Sequence, residues 1–104
     1  MSRCERRLNP GEWEQVDPTP DDYAAARVLA TLGKPMPCTY CGEDMVYNDK
    51  FKHPTRDHIW PQFARSVAEG RFGRVWCCAS CNLAKGDMLP SEWLKVLQSR
   101  SEPA

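Results

Sequence analysis

The feature that most constrains this chain is a pair of Cys-x-x-Cys turns, Cys38-Thr39-Tyr40-Cys41 and Cys78-Ala79-Ser80-Cys81, with 36 residues between them. At 104 residues the chain fits one domain, and a domain of this size buries a limited core that often needs a staple. The six cysteines could in principle make disulfides. The first thirty residues, however, hold no apolar run of signal-peptide length, and without a secretory signal paired Cys-x-x-Cys turns read as metal ligands. Four thiolates form a tetrahedral set for a structural Zn2+, with Cys38, Cys41, Cys78 and Cys81 as the ligands. Gly42 releases the backbone after the first turn. Cys78 rather than Cys77 supplies the two-residue spacing, and on a strand Cys77 would point to the opposite face. Cys4 has no partner spacing and reads as a free thiol. No stretch approaches the roughly 20 apolar residues of a membrane span, so the expectation is a cytoplasmic protein with no membrane partner.

The interval between the two turns exceeds the about 15 to 20 residues of a compact four-cysteine ribbon. It contains Thr55-Arg56-Asp57-His58-Ile59-Trp60-Pro61, and the second turn runs on into Asn82 and then Lys85-Gly86-Asp87. Asp57 and the amide oxygen of Asn82 are the hard donors that Mg2+, Mn2+ or Ni2+ accepts while keeping several waters, and these two suffice for a site completed by a phosphate. That leaves His58 as a base, since an imidazole with a pKa near 6.5 can take a proton from water at neutral pH. The chain is formally neutral, yet residues 50–86 carry Lys50, Lys52, Arg56, Arg65, Arg71, Arg74 and Lys85 against only Asp57 and Glu69, a net +5, leaving −5 elsewhere. A basic segment of this kind attracts a polyanion even when the whole molecule is neutral, although a solvated basic face would look the same.

Outside the interval the signals are structural. Residues 1–18 carry Pro10, Gly11 and Pro18 and read as an irregular arm. Residues 19–104 read as one domain. A helix is expected over 20–33, with Thr19 as cap, Pro20 in the first position, Asp22 in the third, and Gly33 and Pro35 as stops. Its apolar stripe is Ala25, Val28, Leu29 and Leu32. The metal core spans 36–88, and a second helix is expected over 90–99 with Trp93, Leu94 and Leu97 on its apolar side.

The succession Cys-x-x-Cys-Gly, Thr-Arg-Asp-His-Ile-x-Pro, Cys-x-x-Cys-Asn-x-x-Lys-Gly-Asp and Glu92-Trp93 resembles the cysteine-containing branch of the HNH endonucleases over about residues 36–95. The resemblance implies a small α+β fold with a ββα-metal (His-Me finger) core, stabilised by the four-cysteine zinc site and flanked by helices. Asp57 and His58 would lie on the first strand, the second strand would run near Arg74 to Cys77, and a helix from about Cys81 would present Asn82 and Lys85. The implied activity is metal-dependent hydrolysis of DNA phosphodiesters, leaving 5′-phosphate and 3′-hydroxyl ends. His58 would be the general base, Asp57 and Asn82 the ligands of the catalytic cation, and Arg56, Arg74 and Lys85 the phosphate contacts.

Plainer uses exist for each residue. Asn82 suits a helix cap, Lys85 an exposed helical surface, and His53, before Pro54, a turn. Trp60, Trp76 and Trp93 are expected in the core. The chain also departs from its apparent family at Gly73, where a middle asparagine would tether the loop and orient the histidine; Arg74 and Gln62 are the nearby polar candidates. Residues 62–71 replace a glycine-rich loop and could form a short helix. The competing function is a zinc-stabilised module that binds DNA or a protein without cutting. A third is a structural zinc domain in a larger assembly, such as the bacteriophage DNA-packaging machines in which small HNH proteins occur.

Overall fold

In the computed structural model, residues 4–32, 37–68 and 71–101 are described. They form a small α+β fold with two separate two-stranded antiparallel sheets and three α-helices. The first sheet falls where an irregular arm was expected: β1 (Glu5–Asn9) pairs with β2 (Glu12–Gln15). Pro10 and Gly11, read as breakers, are the turn of this hairpin, and Gly11 supplies the positive φ of +82° that the reversal uses. Arg6 pins the hairpin down. Its guanidinium meets Glu14 at 2.9 Å and Glu92 at 2.7 Å, and donates to the Asp87 carbonyl at 3.4 Å.

Helix α1 (Pro20–Leu32) starts where its cap signals place it, while the expected stop at Gly33 and Pro35 lies outside the described residues. Buried Asp22 accepts the Thr19 backbone N–H at 2.8 Å with one oxygen. The other accepts the Ser91 N–H at 3.0 Å and the Ser91 hydroxyl at 2.5 Å. One carboxylate thus serves the amino-terminal ends of both α1 and α3 (Pro90–Ser101), where unpaired N–H groups and the helix dipole favour negative charge. The buried face of α1 is Ala25, Ala26 and Leu29; Val28 and Leu32, expected beside them, are exposed. The helix rests mainly on α3, so its apolar contact is narrower than the sequence stripe.

Strand β3 (Pro54–His58) pairs with β4 (Arg74–Cys78), and α2 (Ala79–Lys85) follows at once. The helix begins two residues before Cys81 because Cys78 itself occupies the N-cap position. Between the strands lies a 3₁₀ turn, Gln62–Ala64, where a short helix was expected. Chain reversal into β4 uses left-handed backbone at Phe72 (φ 70°) and Gly73 (φ 62°). The register puts Thr55 opposite Cys77 and Asp57 opposite Val75 on one face, and Arg56 opposite Trp76 and His58 opposite Arg74 on the other, since directly paired residues point to the same side.

Trp60 and Trp93 are fully buried, as expected, and join Leu29, Ile59, Cys77 and Cys78 in the core. Trp76 is not core: it is 41% exposed, because the register turns it to the same side as Arg56, whose guanidinium lies 5.4 Å from its ring centroid. Among the described residues no helix is long and apolar enough to cross a membrane.

Candidate metal centre and active site

The two Cys-x-x-Cys turns converge. The Sγ atoms of Cys38, Cys41, Cys78 and Cys81 all lie within 4.8 Å of one another, and those of Cys41 and Cys78 are 3.9 Å apart. A tetrahedral ion with Zn–S bonds of about 2.3 Å holds its sulfurs about 3.8 Å apart, so the tetrad could hold such a metal. Backbone donors around Cys38 favour its thiolate as well. Cys38 Sγ accepts backbone N–H bonds from Cys78 at 3.3 Å, Tyr40 at 3.4 Å and Cys41 at 3.5 Å. Burial alone would raise the Cys38 thiol, but these donors outweigh it and hold its pKa near 7. Cys77 faces away on the inner side of the hairpin, beside Thr55, and burial pushes its thiol up to about 12. Cys4 is a buried free thiol at the start of the hairpin.

The end of β3, the loop after it and the carboxy-terminal half of α2 line an open cleft of about 350 Å³. Asp57, His58, Asn82, Arg56 and Lys85 all line it, together with Gln62 and Arg65. Arg74 is paired with His58 across the hairpin and is not part of the lining. The alternation of β3 sends Asp57 inward and His58 outward at the rim, so acid and imidazole reach the same cleft from opposite faces of the strand.

Each polar group is held by a defined partner. Asp57 Oδ2 accepts the Tyr40 hydroxyl at 2.7 Å and lies 3.2 Å from Lys85 Nζ. Burial, then the charge and hydrogen bond of Asp57, push the Tyr40 hydroxyl above its ordinary pKa, so Tyr40 remains a donor. Lys85 was expected to contact phosphate, with an ordinary exposed helical lysine as the plainer alternative; instead its side chain is 1% exposed. Besides Asp57, its ammonium donates to the His58 carbonyl at 3.0 Å, so one buried lysine holds both the acid and the backbone of the histidine. Asn82 does not cap α2, being its fourth residue; its amide nitrogen donates to Thr55 Oγ1 at 3.0 Å, and its amide oxygen, an acceptor, has no partner among the described residues. His53 behaves as a turn residue, its Nδ1 lying 2.7 Å from the Tyr47 carbonyl.

The His58 pKa is lowered, first by burial and then by the positive charges of Arg65 and Arg74, with Asp57 pulling the other way. A lowered pKa keeps the imidazole neutral, the state able to accept a proton. Arg65 is the residue that sequence reasoning missed. It lines the cleft, its Nε is buried without a partner, and among the described residues it forms no ion pair. The available signal was its place in the connection between two paired strands, which must return to the rim where His58 sits. Gly73 makes a backbone contribution only: its carbonyl accepts the Ile59 N–H at 3.1 Å.

No protein-family model, curated protein or solved structure matches this chain. Its function therefore rests on the residues themselves.

Proposed function

We propose that this protein is a metal-dependent endonuclease of the HNH type that hydrolyses DNA phosphodiester bonds, with a structural Zn2+ on Cys38, Cys41, Cys78 and Cys81. The observation that carries the reading is that Asp57, His58 and Asn82 line one cleft with Arg56 and Arg65, on the same β3–β4–α2 unit that carries Cys78 and Cys81 of the tetrad. The succession of β3, β4 and α2 around the tetrad is the order that a ββα-metal core would have.

The donor set fits a hard divalent cation. Asp57 keeps Oδ1 without a hydrogen-bond partner among the described residues, and Asn82 keeps its amide oxygen, so Mg2+, Mn2+ or Ni2+ would be held by two oxygen donors and its own waters. When bound, the cation would supply charge neutralisation at the phosphate and the departing sugar oxygen. His58, neutral because of its burial and cationic neighbours, takes the proton from the attacking water. Arg56 and Arg65 bind the non-bridging phosphate oxygens, and Arg74 adds positive potential from across the hairpin. Lys85 is a positioning residue. Its grip on the His58 carbonyl performs the tethering that the family's middle asparagine would provide, without Gln62 or Arg74.

The test is relaxation of supercoiled plasmid by purified protein in a Mg2+, Mn2+ and Ni2+ series, comparing wild type with His58→Ala. Metal-dependent nicking that disappears in the variant is expected. A wild type that binds DNA and never cuts would favour the non-catalytic module instead.

A further inference from the structure

The tryptophans divide cleanly by exposure. Trp60 and Trp93 are 1% and 0% exposed, whereas Trp13 and Trp76 are 59% and 41% exposed. Packing accounts for the first two and not for the second two, since leaving a large aromatic surface in water forgoes its burial energy. Each of the exposed pair is linked to the cleft through residues that line it. Trp76 is the cross-strand partner of Arg56, which lines the cleft, and the guanidinium already lies over its ring. Trp13 lines a second groove, which shares Gln62 and Asp87 with the cleft.

Both rings are carried on anchored hairpins. Trp13 sits on β2 opposite Arg7, while the other face of the same hairpin is fixed through Arg6 to Glu14 and Glu92. Trp76 sits on β4, whose backbone carbonyl at that residue accepts the Thr39 N–H at 3.0 Å. The groove of Trp13 is lined by Arg7 as well as by Glu5 and Asp87, and the two carboxylates can accept hydrogen bonds from the amino groups of a base. The cleft beside it has Arg56 and Arg65 for phosphate.

Resting on the nuclease reading, we infer that the substrate is single-stranded or locally unpaired DNA, with a base on each side of the scissile phosphate stacked on Trp13 and on the Trp76–Arg56 pair. Base stacking on aromatic rings and guanidinium planes is the usual grip on unpaired strands, and it is unavailable to a base that remains stacked in a duplex. The amino-terminal hairpin is thereby a part of the substrate site rather than an appendage.

The experiment measures binding in a His58→Ala background, so that cleavage does not interfere, using a fluorescein-labelled single-stranded DNA oligonucleotide, the same sequence as a duplex, and the same sequence as RNA. Trp13→Ala and Trp76→Ala should each weaken binding of the single strand by about fivefold or more, with little effect on the duplex. Trp13→Phe and Trp76→Phe should recover most of the loss, because a phenyl ring still stacks. Equal losses for single strand and duplex, alanine variants that bind the single strand as the parent does, or phenylalanine variants as weak as alanine would each overturn the inference. Tighter binding of the RNA strand than of the DNA strand would overturn the assignment to DNA. If the parent binds no nucleic acid and the wild type cuts none, the nuclease reading falls with it. Cleavage that persists without dependence on either tryptophan overturns this inference alone.

Discussion

Lys85→Met removes one partner of the buried pair beneath the proposed site while keeping most of the side chain's volume. The ammonium is 3.2 Å from Asp57 Oδ2 and 3.0 Å from the His58 carbonyl, and its side chain is 1% exposed. Breaking a buried ion pair costs about 3–5 kcal/mol, largely because the surviving charge is left without its partner. Asp57 retains the Tyr40 hydroxyl at 2.7 Å and borders the cleft, so the expected cost is at the lower end, about 3 kcal/mol. For a domain of this size that is a fall in melting temperature of about 12–24 °C. Chemical denaturation of wild type, Lys85→Met, Asp57→Asn and the double variant measures the coupling directly. The double variant leaves no orphaned charge, so it should be more stable than the sum of the single losses predicts, by at least about 1 kcal/mol. A Lys85→Met variant within about 0.5 kcal/mol of wild type, or strictly additive losses, would refute the pairing as the support of the site.

The other predictions concern chemistry and metal. Cys78→Ser or Cys81→Ser should lose bound zinc by elemental analysis and unfold the chain, whereas Cys77→Ser should retain the metal, because only the first two face the tetrad. His58 titrates below its ordinary value, chiefly through burial and then through Arg65 and Arg74, so the acid limb of the kcat/KM profile should lie below pH about 6.5. Arg65→Gln removes a positive charge that disfavours the imidazolium, and should move that limb to higher pH; an unmoved or lowered limb would contradict the assignment. Gly73→Asn should leave the single-turnover rate within about threefold of wild type, because Lys85 already tethers His58 and a displaced base would otherwise cost on the order of 10²-fold. A large acceleration would show that the tether is incomplete.

Much of this site was legible because its signals are local. Cysteine spacing predicts the convergence of Cys38, Cys41, Cys78 and Cys81, and the alternation of a strand predicts that Cys77 turns away. Proline and cap chemistry at Thr19, Pro20 and Asp22 place the start of α1. What escaped depends on pairing between distant segments. The Pro10-Gly11 break is a turn only once Glu5–Asn9 and Glu12–Gln15 pair, and Trp76 is exposed only because the hairpin register sets it opposite Arg56. Lys85 shows the same dependence. Its helical position alone suggests a solvated lysine, and the carboxylate that buries it comes from residue 57 on another element. Asp22 likewise looks like a cap for one helix, while Ser91 reveals that it serves two.

The most direct measurement of the central claim is a single-turnover assay on an end-labelled DNA oligonucleotide with Mn2+, using wild type, His58→Ala and Asp57→Ala purified in parallel, with product ends tested by ligase sealing. The account predicts metal-dependent cleavage by the wild type, sealable 5′-phosphate and 3′-hydroxyl ends, and a loss of about 10²- to 10⁴-fold when the base is removed. Equal cleavage by wild type and His58→Ala would contradict it.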